Sequence, residues 1–180
     1  MHILCGKWQQ EISHRFEILY WTGIREGELI ALTPADFNFE KKTLRINKSY
    51  QRLEGKDVIT DPKTPKSNRT IVMPDFLAVE MDDFISSLYG IKDDDRIFTI
   101  SKSYLHHEMD RGAKLAGVKR IRIHGLRHSH ISLLINLGFS ALAIGERVGH
   151  EAVDITYHYA HLFPTVQTDM AAQLETEREA

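Results

Sequence analysis

Cysteine is nearly missing from this sequence: Cys5 is the only one in 180 residues, which excludes a disulfide framework and suits a reducing compartment. Proline is scarce as well, and no Pro/Gly-rich linker, low-complexity tract or internal repeat marks a domain boundary. No apolar run approaches the ~20 residues needed to span a bilayer. The start, Met1-His2-Ile3-Leu4-Cys5-Gly6-Lys7, lacks the basic region and long apolar stretch of a secretion signal. We therefore expect neither a membrane segment nor a secretion signal. A surplus of one charge is lacking too: the formal net charge of -2 argues mildly against a polyanionic partner.

What is present is the composition of a folded domain, 42% hydrophobic and 27% charged, and at this length one core is the default. The charge is unevenly spread. From Lys41 to Thr70 nine Lys/Arg stand against three acids, and from Arg111 to His130 there are six Lys/Arg, three histidines and no acid. Acids collect instead between Asp75 and Asp95, where seven face Lys92 alone. A polyanion could use the basic faces while the acidic ones point elsewhere, although charge runs are often no more than solvated faces.

Helical spacing runs through Trp8, Ile12, Phe16, Leu19 and Tyr20, a stripe that Gly23 can close, and a shorter helix is expected from Arg25 to Leu32 before a restart at Thr33-Pro34. Between Thr43 and Met73 short alternating segments (Leu44-Arg45-Ile46, Val58-Ile59, Thr70-Ile71-Val72-Met73) predict one small antiparallel sheet. Helices are expected again from Phe76 to Leu88 before Gly90, and from Ser101 to Leu115 before Gly117. Three more follow: Leu126 to Leu137, Ala141 to Val148 capped by Ser140, and one capped by Asp154 that carries Tyr157 and Tyr159. The fold class is mainly α with a small antiparallel β-sheet. Helix, glycine turn, helix is also the outline of a DNA-binding helix-turn-helix, though any helical core needs such corners.

Four groups of residues could carry chemistry. His124 and Arg127 are three apart, so a helix would present both to one phosphate. Arg25 at a helix start is electrostatically misplaced unless an anion or Glu28, one turn on, compensates. Tyr159 shares a stripe with Ile155, Leu162 and Phe163 and is expected to point inward, nearly opposite to Tyr157. The histidines His124, His128, His130, His158 and His161 raise the question of metal, but the spacing lacks the acidic partner of a zinc-protease helix. Each feature alone has a bland reading: a surface ion pair, a core tyrosine, solvated histidines.

The order of the motifs is more specific than any one of them. Arg25 in Thr22-Gly23-Ile24-Arg25-Glu26-Gly27-Glu28-Leu29 comes first, then the basic Pro62-Lys63-Thr64-Pro65-Lys66-Ser67-Asn68-Arg69. His124-Gly125-Leu126-Arg127-His128, Val148-Gly149-His150 and Tyr159 follow. This series resembles the tyrosine recombinase, or phage integrase, family from about residue 16 to residue 163, with Ile24, Val148 and Ser129 as small departures.

The resemblance implies the tyrosine recombinase catalytic-domain fold. It implies that Arg25 and Arg127 clamp a scissile phosphate, Lys63 protonates the leaving 5′ oxygen, and His124 is a general acid/base. His150 would be a further phosphate ligand, Tyr159 the nucleophile and Glu28 the residue that orients Arg25. Lys66, on the same hairpin tip, is the alternative to Lys63.

The implied function is site-specific recombination through a 3′-phosphotyrosyl intermediate, as in a mobile-element or phage integrase, with no metal, ATP or other cofactor. The implied partners are double-stranded DNA attachment sites, other protomers in a DNA-bound tetramer and accessory DNA-bending proteins, with a cytoplasmic, DNA-associated location. Residues 1–180 are expected to form the catalytic domain alone, without an N-terminal core-binding domain, and 165–180 a tail that docks on a neighbouring protomer. A type IB topoisomerase shares the chemistry; a DNA-binding regulator that does not cut and a histidine metalloprotein are the readings of other classes.

Overall fold

The computed structural model describes residues 13–62, 64–150, 154, 158, 159 and 174–176. Residues 13–22 are helical (α1), and Gly23 ends them with φ +66° as its N–H bonds to the carbonyl of Leu19. Trp8, Ile12, Tyr157 and the stripe partners expected for Tyr159 lie outside the described residues. The second helix, α2, is Glu26–Ala31, followed by a 3-10 turn Pro34–Asp36 capped reciprocally by Thr33 and Asp36. Asp36 is fully buried yet accepts from Thr33 and from Lys48 Nζ, which fixes where the chain enters the sheet region.

The strands form two sheets where one was expected. Strands β1 (Phe37–Asn38), β2 (Thr43–Ile46) and β5 (Arg69–Val72) make an antiparallel sheet in the order β1-β2-β5, with Leu44 opposite Ile71. Its alternation is clean, Leu44, Ile46 and Ile71 inward and Arg45, Thr70 and Val72 outward. Strands β3 (Ser49–Leu53) and β4 (Lys56–Thr60) form a separate hairpin, turned by Glu54 and Gly55, both at positive φ. Most of its side chains are exposed, so too few apolar positions were available to announce β3 in the sequence. The hairpin is pressed against α2 through Gly27, where a Cβ would meet Ser49 Oγ at 2.6 Å and the Tyr50 carbonyl at 2.9 Å.

Helix α3 (Asp75–Ser86) stops at Ser87 and not at Gly90, because the last turn is closed by bonds from Ser87 back to Asp83 and Phe84. Helix α4 (Lys102–Ala116) stops at Gly117 as expected, while Ser101, expected as its first residue, caps it by accepting from the Tyr104 N–H. Helix α5 (Ile123–Asn136) starts three residues before the expected Leu126, and α6 (Ala141–Val148) runs between Ser140 and Gly149 as expected. One core gathers apolar side chains of α1 to α4 and the three-stranded sheet, among them Ile18, Leu29, Leu44, Leu77 and Leu105, with Phe98 from the α3–α4 connection. A second, smaller core holds Ile131, Ile135, Ile144, Val148 and Tyr159.

Arginine side chains stitch the α5–α6 half to the rest. Arg147 on α6 donates to the carbonyls of Val72 and Trp21, both at 3.1 Å, and to His130 Nε2 at 3.1 Å. The backbone carbonyls it reaches end β5 and α1, so one side chain sets the height of α6 over both. Among the described residues no helix is long and apolar enough to cross a membrane.

Candidate active site

Because α5 begins at Ile123, His124, Arg127 and His128 all lie in its first two turns, at the three- and four-residue spacings that share a face. The rings of His124 and His128 stand edge to face, with centroids 4.8 Å apart. Arg127 is 2% exposed. Its Nη1 and Nη2 donate to the carbonyls of Gly23 and Val148, and its Nε has no partner among the described residues. Burial, and then the guanidinium of Arg25, lower its pKa to about 9, so it is still cationic at neutral pH.

Three arginines converge on the end of α6. The consecutive carbonyls of Arg147, Val148 and Gly149 accept from Arg69 Nε (2.8 Å), Arg127 Nη2 (2.5 Å) and Arg25 Nη2 (3.3 Å) respectively. A helix C-terminus leaves its last carbonyls without intrahelical partners and carries partial negative charge, so it is suited to hold cations. Glu28 supplies one formal negative charge, shared by two of them. It accepts from Arg25 Nη1 at 2.8 Å and from the Arg25 N–H at 2.8 Å, and Arg69 grips its other side. Burial pushes the Glu28 carboxyl up, but its bonds to Arg69 and then Arg25 leave it below the usual carboxylate range. The compensation expected for Arg25 is thus present, and it is shared with a second arginine.

His150 follows Gly149 directly, so the end of α6 also delivers this imidazole. Burial first, then Arg127 and Arg25, lower its pKa to about 4. His124 and His128 are lowered as well, again by burial first. Burial first, and cationic neighbours after it, disfavour a proton on all three rings. An anion seated among them would reverse that bias.

Tyr159 is buried in the smaller core, as expected, and its hydroxyl is hydrogen-bonded to His128 Nδ1. Burial raises its pKa, with Arg127 pulling the other way. Lys63 lies outside the described residues. Lys66 sits in the 3-10 turn Pro65–Ser67, and that turn is anchored on the arginines: Ser67 Oγ accepts from Arg25 at 3.3 Å and the Ser67 carbonyl from Arg69 at 3.0 Å. Beside the cluster a cavity of about 400 Å³ is lined by Arg25, Arg52, Lys102 and His124 together with Ser49 and Tyr50. Among the described residues no three His, Cys, Asp or Glu side chains are grouped to hold a metal ion.

The structure therefore brings together Arg25, Glu28, His124, Arg127, His150 and Tyr159, which are separated by up to 134 residues in sequence. Sequence reasoning missed Arg69, which was visible only as one more basic residue of the hairpin. It also missed the contact of Tyr159 with His128. The available signal was the glycine stop at Gly149, which promised unpaired carbonyls near a basic segment.

A tyrosine hydroxyl at the edge of a histidine-arginine cluster defines an anion-handling site with its own candidate nucleophile. The chain belongs to the phage integrase family, whose profile matches residues 5–165. It is 31% identical over 174 residues to the ICEBs1 integrase of Bacillus subtilis, covering 89% of this chain and 47% of that protein. It is 28% identical over 182 residues to the integrase of Staphylococcus phage L54a, covering 91% and 51%. The chain thus spans about half the length of the curated relatives it matches. Its fold is that of the Tn1549 transposon integrase, solved in complex with a circular intermediate DNA: TM-score 0.75 at 22% identity, covering 93% of this chain and 58% of that one. The catalytic domain of bacteriophage HP1 integrase superposes with a TM-score of 0.59 at 21% identity, covering 89% and 79%.

Proposed function

We propose that this chain is the catalytic domain of a mobile-element or phage integrase that cuts and rejoins DNA through a covalent 3′-phosphotyrosyl intermediate. The observation that carries the reading is the tyrosine hydroxyl of Tyr159 set beside a cluster of guanidinium and imidazole groups that is short of negative charge. A phosphodiester repels an attacking oxyanion, and a phenol of pKa near ~10 is a poor nucleophile at pH 7. Arg25 and Arg127 neutralise the phosphate, and His124 and His150 bond to its nonbridging oxygens, so charge that develops there is stabilised by groups already in place. Tyr159 Oη attacks phosphorus as the bond to the 5′ oxygen breaks, and Lys63 protonates that oxygen as it leaves. The phosphotyrosyl link retains the energy of the broken bond, so rejoining needs no ATP.

Double-stranded DNA attachment sites are the substrate, and the protein works in the cytoplasm where that DNA is. Protomers assemble as a tetramer on paired sites through residues 165–180. This is supported by Leu174, exposed on a helical turn, and by an apolar cavity of about 420 Å³ rimmed by exposed Val72 and Phe139. Accessory DNA-bending proteins bring the paired sites together. Incubation with a nicked suicide DNA and recombination between two marked sites test the function. We expect a covalent adduct and exchanged products; a topoisomerase would relax DNA without exchange, and binding without any adduct would favour a regulator that does not cut.

A further inference from the structure

The hydroxyl of Tyr159 meets Nδ1 of His128, whereas the ring of His124 lines the cavity that it shares with Arg25, Arg52 and Lys102. Resting on the recombinase reading, we propose that His128 is the base that takes the Tyr159 proton during cleavage, while His124 serves the phosphate. The two imidazoles then divide the work that one was expected to do. To accept at Nδ1 the neutral ring carries its own proton on Nε2. As the Oη–P bond forms, the phenolic proton passes to Nδ1 and gives an imidazolium. The electron pair of the broken P–O bond leaves on the 5′ oxygen, which is protonated from the hairpin lysine. In rejoining, the 5′ hydroxyl attacks phosphorus and His128 returns its proton to the departing Tyr159 oxygen.

The surroundings suit a base. The charged and titratable groups that face His128 are His124 and Arg127 on α5, and His158 and Tyr159 from the C-terminal helical residues. Burial, then Arg127 and His158, keep the imidazole neutral before DNA arrives. A phosphate bound by Arg25 and Arg127 offsets the Arg127 part of that bias, so the ring becomes a better proton acceptor when the nucleophile is needed. His128 is itself exposed, so substituting it leaves the core intact.

His128→Asn is the discriminating variant, because its amide oxygen can still accept a hydrogen bond near the Nδ1 position but cannot take up a proton. Single-turnover adduct formation on nicked suicide DNA by the intact protein should slow about 100-fold or more at pH 7. DNA affinity should stay unchanged, and the rate should recover as pH rises and hydroxide replaces the base. A His128→Asn protein that cleaves at the wild-type rate would reduce His128 to a positioning residue and overturn the proposal. Nitrogen NMR of the DNA-free protein gives an independent reading: Nδ1 of neutral His128 should be unprotonated, and a proton there would equally overturn it. Absence of an adduct with the wild-type protein as well would instead overturn the recombinase reading.

Discussion

Arg69 holds Glu28 by two hydrogen bonds, 3.2 Å from Nη1 to Oε1 and 3.0 Å from Nη2 to Oε2, with both side chains almost fully buried. The same carboxylate orients Arg25, so the residue that presents one guanidinium to the site is itself positioned by another. Removing Arg69 leaves Glu28 buried with half its partners. Arg69→Met should destabilise the domain by about 3–5 kcal/mol, as for other broken buried pairs, and Arg69→Lys should recover little because an ammonium cannot reproduce the fork. Urea unfolding of the two variants checks this; a loss below about 1 kcal/mol for Arg69→Met would mean that Glu28 does not depend on it.

Gly23 links α1 to the site twice. Its carbonyl accepts from Arg127, and at φ +66° a Cβ would come within 2.5 Å of His130 Cδ2. Gly23→Ala is therefore expected to cost about 1–3 kcal/mol from backbone strain alone. It should also slow DNA cleavage by more than Gly117→Ala, a cap remote from the arginines with open space around it. Thermal melts and single-turnover cleavage of the pair make the comparison.

His130 is 2% exposed and accepts from Arg147, a bond that only the neutral ring can make. Burial first, then Arg147 and Arg127, lower its pKa from 6.5 to about 4. Between those values the unfolded chain binds a proton that the folded state refuses, so stability is full above pH ~6.5 and falls on acidification towards pH ~4. A gap of this size is worth about 3 kcal/mol at one site. His130→Gln, which keeps an acceptor but does not titrate, should flatten the acid side of the stability curve, and an unchanged curve would locate the acid sensitivity elsewhere.

The lysine assignment is open to a chemical test. If Lys63 protonates the leaving 5′ oxygen, Lys63→Ala should cleave poorly on ordinary DNA and near normally when that oxygen is sulfur, since a thiolate leaves without a proton. Rescue of Lys66→Ala by sulfur, with Lys63→Ala unaffected, would move the role to Lys66.

Local signals carried most of the helices: Ser101, Gly117, Ser140 and Gly149 cap where short-range chemistry says they should. The hairpin β3–β4 was harder, because its side chains are mostly exposed and no apolar alternation survives. Motif order identified Arg25, Glu28, His124, Arg127, His150 and Tyr159 as partners, and the structure brings them together. What sequence could not reveal was tertiary: that three arginines end on three consecutive carbonyls of α6, and that Tyr159 rests on His128 and not on His124. Those contacts depend on how α5 and α6 lie against α1 and β5, which no local pattern encodes.

Mass spectrometry of the protein trapped on a nicked suicide substrate identifies the residue that becomes attached to DNA. The phosphate should be found on Tyr159, joined to a 3′ DNA end, and Tyr159→Phe should give no adduct under the same conditions. DNA linked to Tyr157 or any other side chain, or an adduct that persists in Tyr159→Phe, would contradict the assignment of the nucleophile and of the site built around it.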